Sequence, residues 1–228
     1  SVNWIRKLDP DIIFCFGWSK LLGKDLLEMP SMGVVGFHPA ALPANRGRHP
    51  LIWSLVLGLN ETASAFFMMD RGADSGDILS QSSVPIDFDD DASSLYSRVT
   101  SVAISQIEEF FPLLLERAHT LRPQDHALAN NWRKRGAIDG QVDWRMSATT
   151  IYNLVRGLSH PYIGAHFFYK SAEIKVWKCR IVEDVPKNLE PGKIISLGGD
   201  GPIVKAGEGA IELISFDPKI AFKAKEYL

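Results

Sequence analysis

Apolar runs alternate along the chain with polar, Gly- and Pro-bearing breaks, and the spacing inside each run predicts an element. Residues 1–8 have the pattern of an amphipathic helix that Asp9-Pro10 closes. Residues 11–16 form a short apolar run that predicts a buried strand. Leu21, Leu22, Leu26 and Leu27 predict a helix over 18–29, capped by Ser19 and stopped by Pro30. A second buried strand is predicted over 32–37, ending at His38-Pro39. Pro50 then opens a helix whose apolar face is Leu51, Ile52, Leu55 and Val56, ending near Gly58. Strands are predicted over 62–69 and 78–86, with a loop over 72–76 between them. Leu95, Val99, Val102, Ile104 and Ile107 predict a long helix that Pro112 kinks or ends.

Beyond that helix the pattern changes. Residues 123–147 are polar, with Pro123, Gly136 and Gly140, and predict a linker. A short helix follows on Ile151, Leu154, Val155 and Leu158. Short β-like runs then cover 164–169, 173–182, 192–197, 202–206 and 210–216, separated by Gly and Pro. The expected organisation is an α/β domain over 1–122, the linker over 123–147, and a small antiparallel sheet or β-barrel over 148–228.

Composition narrows the functional classes. The chain has 228 residues, 46% hydrophobic and 23% charged, as ordinary folded domains do. The formal net charge of -2 supplies no global field for a nucleic-acid backbone, so such a partner needs a local basic patch. Arg133-Lys134-Arg135 is the one such cluster, either a solvated face or a contact for an anionic ligand or a tRNA backbone. Cys15 and Cys179 are far apart and read as reduced core residues of a cytoplasmic protein. No apolar run approaches the ~20 residues that span a bilayer, and no signal peptide is visible. Asp89-Asp90-Asp91 stands ahead of the long helix, as a dipole-favoured helix start or as metal ligands.

The chain has no P-loop, no strand-borne GxGxxG, no HExxH, no zinc-type cysteine spacing and no GxSxG. His38 and Asp74 remain, at the ends of neighbouring strand-like segments. A carboxylate against an imidazole stabilises its charged form, so the pair can take a proton from an attacking amine and return it to a leaving nitrogen. Gly72 and Gly76 leave the backbone around Asp74 open to a planar ligand. Arg46 and Arg48 flank Gly47 and suit a phosphate, or else form surface salt bridges. Phe16 and Trp18 are either core residues or a wall for a flat ring.

Together, His38-Pro39-Ala40-Ala41-Leu42-Pro43, Arg46-Gly47-Arg48 and Asp70-Arg71-Gly72-Ala73-Asp74-Ser75-Gly76-Asp77-Ile78 resemble the folate-dependent formyltransferases. Asp143-Trp144, Val176-Trp177-Lys178 and Pro191-Gly192-Lys193-Ile194-Ile195 extend the resemblance into the family's C-terminal module. The resemblance implies a Rossmann-like formyltransferase domain with its first part missing, followed by a β-barrel-like domain. About 65–70 further residues would precede this chain. It implies transfer of a formyl group from N10-formyltetrahydrofolate to a primary amine, without a metal, with His38 moving the proton and Asp74 orienting it. It places folate against Phe16, Gly17, Trp18, Ala40, Ala41, Leu42, Pro43, Asp70, Arg71 and Gly72, and substrate against Arg46 and Arg48. The stretch from Arg46 to Gly58 is closer to the sugar N-formyltransferases, which implies a nucleotide-linked amino sugar as acceptor. Methionyl-tRNA as acceptor, or a catalytically impaired folate-binding fragment, are the alternatives. Family members are often homodimers.

One departure stands out. The family has Asn two residues before the His, and this chain has Gly36. That Asn is expected to donate a hydrogen bond to the formyl oxygen, and losing such a donor costs about two to three orders of magnitude in rate. Either another donor acts (Asn45, a water or protonated His38), or turnover is weak or lost.

Overall fold

The computed structural model of the protein describes residues 2–228. In chain order its elements are α1 (Val2–Leu8), β1 (Ile13–Cys15), α2 (Lys24–Leu27), β2 (Val34–His38), β3 (Arg46–Gly47), α3 (Pro50–Val56), β4 (Glu61–Met68), β5 (Ile78–Pro85) and α4 (Ala92–Leu115). They continue with β6 (Asn131–Trp132), α5 (Ala148–Leu158), β7 (Ala165–Tyr169), β8 (Ala172–Val182), β9 (Ile194–Leu197), β10 (Pro202–Lys205) and β11 (Ala210–Asp217). The chain divides into two compact units, and each draws on several stretches. Among the described residues the first takes 2–51, 60–86 and 96–134; the second takes 52–59, 87–95 and 135–228.

The first unit is built on a four-stranded sheet in the order β1-β2-β4-β5. β1 and β2 run parallel, and the remaining neighbours are antiparallel. The pleat sends alternate side chains to opposite faces. On one face Val35 and Phe66 pack with Ala103, Phe110 and Leu114 of α4. On the other, Ala65, Phe67 and Ile78 pack with Leu42. Both faces of β4 are therefore covered, which is why residues 62–67 read as one apolar run.

The second unit holds a five-stranded antiparallel sheet in the order β7-β8-β11-β10-β9. Its core joins Ile151, Leu154, Val155 and Leu158 of α5 to Phe167, Ile174, Val176, Ile211 and Leu213 of the strands. The strands expected from the Gly and Pro punctuation all form, but the sheet is open: among the described residues no ladder joins the edge strands β7 and β9 into a closed barrel.

Two helix expectations change. The helix expected over 18–29 shrinks to α2, because Gly23 takes an extended conformation (φ -71°, ψ 156°) and the helix begins only after it. Ser19 caps nothing there. α4, by contrast, runs through Pro112 to Leu115. Its final turn is held by Glu116 N–H donating to the Pro112 carbonyl (3.1 Å). Asp91 caps the start of α4, accepting from the backbone N–H of Ser93 (2.9 Å) and Ser94 (3.0 Å). Asp90 accepts from the Asp87 N–H (2.7 Å) and the Ser94 hydroxyl (2.7 Å). The acidic cluster thus serves the helix start. Among the described residues no group of three or more His, Cys, Asp or Glu side chains is placed to hold a metal, and no helix is long and apolar enough to cross a membrane.

Candidate functional site

β2 carries Val35 and Phe37 to the α4 side of the sheet, so Gly36 and His38 share the opposite face. His38 lies opposite Ala65 on β4 and is only 4% exposed. Its Nε2 lies 2.8 Å from the Asn45 carbonyl oxygen. A carbonyl only accepts, so Nε2 carries the proton in this arrangement. Its Nδ1 faces Asp74 Oδ2 at 3.5 Å. Both ring nitrogens therefore look at an oxygen acceptor.

Asp74 sits in the left-handed region (φ 53°), which Asp tolerates better than most residues. Its Oδ2 also accepts from the Gly47 N–H at 2.9 Å, so one carboxylate oxygen ties the β3 loop to the imidazole. Gly47 is required there. Its φ is 103°, and a Cβ at that position would stand 2.4 Å from the Trp132 carbonyl oxygen. The close approach arises because β3 pairs in parallel with β6. Asn45 N–H donates to Asn130 Oδ1 (2.7 Å), and Arg46 N–H donates to the Asn130 carbonyl (3.1 Å). Residues 124–132, expected to lie in a linker, thus pack against the His38 loop.

The remaining expected site residues fall into three groups. Phe16 and Trp18 stand at the end of β1 and are 46% and 60% exposed. Phe16 rests edge-on against Phe66 (5.5 Å) and Phe37 (6.2 Å), so half of it is core and half is an open aromatic face. Gly17 separates the two at φ 65°. Arg48 Nη1 donates to the Ser19 carbonyl at 2.6 Å and ties this aromatic segment to the basic loop. Ala40 is buried, Ala41 exposed, and Pro43 half-buried. Leu42 is pinned at both backbone groups by Gln81, whose Oε1 accepts at 2.9 Å and whose Nε2 donates at 3.1 Å. Asp70 Oδ1 accepts from the Gly72 N–H (2.9 Å) and the Ser75 hydroxyl (2.6 Å), which shapes the turn before Asp74. Arg71 points outward to Glu28 at 3.6 Å.

Arg46 corrects the expectation from the sequence. It is not presented to a phosphate but buried, 6% exposed. Its Nε and Nη2 donate to Gln124 Oε1 (3.2 and 2.6 Å), and Nη2 also donates to His126 Nδ1 (3.2 Å). A guanidinium enclosed in this way must spend its donors on protein acceptors. Sequence reasoning missed Gln124 and Asn130, which look like ordinary polar residues of a loop. Arg135, from the basic cluster, lies over the Trp53 ring at 4.6 Å in the second unit.

Gly36 is packed, not vacant. An ideal Cβ there would meet Phe67 Cζ and Met69 Cγ, each at 2.8 Å. The two side chains fill the space above the glycine, so a larger residue at 36 requires both to move.

The family model described as formyl transferase matches residues 2–109, and that described as formyl transferase, C-terminal domain, matches residues 136–228. Among solved structures, HypX from Aquifex aeolicus in complex with tetrahydrofolic acid superimposes with a TM-score of 0.74 at 18% identity. That match covers 93% of this chain, which spans 36% of the HypX chain. Methionyl-tRNA formyltransferase from Clostridium thermocellum gives 0.68 at 20% identity, over 94% of this chain and 82% of that one. The N-formyltransferase from Helicobacter canadensis, solved with folinic acid and dTDP-3-aminofucose, gives 0.68 at 14% identity, over 88% and 72%. At these identities the likeness is one of fold.

Proposed function

Because the chain belongs to the formyl transferase family, we propose that it transfers a formyl group from N10-formyltetrahydrofolate to the primary amine of a nucleotide-linked amino sugar. The observation that carries this reading is the pairing of His38 with Asp74 at the end of β2. An amine that adds to a formyl carbon must lose a proton, and the departing folate nitrogen must gain one. His38 can do both if the proton sits on Nδ1, facing Asp74, and Nε2 presents its lone pair. In the structure Nε2 is the protonated nitrogen, held by Asn45. Productive binding therefore frees Nε2 from the Asn45 carbonyl and from its proton, leaving the ring proton on Nδ1 facing Asp74. Asn45 lies in the left-handed region (φ 61°), so that contact depends on an uncommon backbone conformation.

Folate as donor is supported by the open aromatic face of Phe16 and Trp18 and by the pinned Leu42 backbone, which offer a flat ring a stacking wall. HypX and the Helicobacter canadensis enzyme were solved with folates, the latter also with a nucleotide-linked amino sugar. A sugar acceptor over tRNA is supported by the net charge of -2, since tRNA affinity is largely electrostatic. Arg48, whose guanidinium makes a single hydrogen bond among the described residues, through Nη1, is the arginine we assign to the acceptor.

The test is a formylation assay with N10-formyltetrahydrofolate and, in parallel, dTDP-linked amino sugars and methionyl-tRNA. Formyl sugar and free tetrahydrofolate in equal amounts are expected. Formyl-methionyl-tRNA would redirect the assignment to tRNA. Binding of 5-formyltetrahydrofolate without transfer to either acceptor would leave a folate-binding protein. Full turnover in His38→Ala would remove His38 from the proton path.

A further inference from the structure

We propose that Gln124 is the positioning residue of the His38–Asp74 pair, locking together the two loops that supply it. The inference rests on the reading that this pair moves protons. Gln124 is 7% exposed, and its amide is engaged on both sides. Oε1 accepts from Arg46 Nε (3.2 Å) and Nη2 (2.6 Å). Nε2 donates to the carbonyls of Asp74 (3.0 Å) and Gly76 (2.6 Å). Arg46 belongs to the loop in which Asn45 holds His38 Nε2 and Gly47 holds Asp74 Oδ2. Asp74 and Gly76 belong to the opposite loop. One side chain therefore grips the backbone of Asp74 itself and, through Arg46, the loop that contacts both members of the pair.

The network fixes the amide's orientation. Arg46 offers only donors and the two carbonyls offer only acceptors, so oxygen must face Arg46 and nitrogen must face Asp74 and Gly76. Glu at 124 would keep an oxygen for Arg46 but turn a second oxygen onto the two carbonyls. Buried acceptors facing one another without a proton repel, and the Asp74 turn would have to open. A change of this kind leaves the sheet intact and moves the carboxylate relative to the imidazole.

The experiment compares Gln124→Glu and Gln124→Ala with Gln106→Ala. Gln106 is also a buried glutamine of the first unit, but it donates to the Ser64 carbonyl and the Ser80 hydroxyl. The full chain is labelled with 15N, and the His38 ring cross-peaks are assigned with His38→Gln. Both Gln124 variants are expected to shift or broaden these peaks, whereas Gln106→Ala leaves them in place at comparable loss of stability. In the formylation assay kcat is expected to fall about 10- to 100-fold, with KM for the folate held within about threefold. Unmoved His38 peaks in both Gln124 variants, or an equal shift in Gln106→Ala, would overturn the proposal. If neither Gln124 variant folds, the wild-type Gln124 side-chain amide peaks decide. They shift in His38→Gln if the network is continuous, and their staying fixed overturns it. A wild-type protein with no formyl transfer refutes the functional reading, while the ring peaks still decide the role of Gln124.

Discussion

Asp74→Asn separates the structural from the chemical use of one side chain. Asn tolerates the left-handed conformation and keeps an oxygen for the Gly47 N–H, but it removes the charge facing His38. Stability is expected to change by less than about 1 kcal/mol, while turnover falls about 100-fold or more. Urea denaturation and the formylation assay measure the two arms, and full turnover would mean that the carboxylate is not needed. Gly36→Ala is expected to cost about 1–3 kcal/mol, because its methyl group meets Phe67 and Met69. A neutral result would show that both side chains yield freely. His166 supplies a pH test. Burial, and then the nearby Lys175 charge, hold its imidazole below the ordinary range. The unfolded chain therefore takes the proton first, so stability is present near neutral pH and is lost as pH falls from about 7 toward 5. The urea midpoint should fall over that range, and fall less steeply in His166→Gln. Of these residues His38 and Asp74 could be found in the sequence, because their chemistry is intrinsic and their setting of Pro and Gly is local. Gln124 and the filling of Gly36 could not, since both depend on partners far along the chain. Arg46 misled for the same reason: charge is legible, but the direction in which it points is not.

At the scale of elements, α5 shows what one buried cation holds. Arg156 Nη1 donates to the carbonyls of Asp87 (3.0 Å), Phe88 (3.2 Å) and Asp90 (3.0 Å), and Nε donates to Asn153 Oδ1 (2.8 Å). The helix thereby secures the segment that leads into the Asp90–Asp91 cap of α4. Arg156→Ala removes the charged donor these three carbonyls share, although Asp87 keeps the Asp90 N–H and Phe88 keeps the Tyr152 hydroxyl, and it is expected to cost about 2 kcal/mol, with Arg156→Lys recovering part of it. Urea denaturation of both variants checks this, and an unchanged midpoint would mean that water replaces the guanidinium at no cost. The strands β7 to β11 were legible because short apolar runs were punctuated by Gly and Pro. The helix over 18–29 was overread because four leucines satisfied its spacing, while Gly23 and the exposed Leu21 marked an irregular segment. Of the two outcomes Pro112 predicts, a kink or an end, the end does not occur, because the last turn of α4 closes around it.

The whole molecule carries one thiol in each unit. Cys179 lies in the core of the second, and burial pushes its thiol up to about 12. Cys15, at the end of β1 in the first, is half-buried, and burial raises it as well. Under native conditions iodoacetamide is expected to modify Cys15 first and Cys179 only as fast as the second unit opens. Arg156→Ala should accelerate labelling of Cys179 and leave Cys15 unchanged, and equal acceleration of both would contradict it. Periodicity along the sequence identified elements but not the unit in which each one settles, because that is decided by non-local packing. The interleaving of the two units along the chain has a consequence for synthesis and for protein engineering. As the polypeptide emerges from the ribosome, residues 52–59 and 87–95 appear long before the 135–228 stretch with which they are grouped. The last stretch grouped with the first unit ends at residue 134, before any of the C-terminal strands is made. A cut at residue 135 keeps the continuous stretch that the C-terminal family model matches, 136–228, but leaves those two early pieces behind.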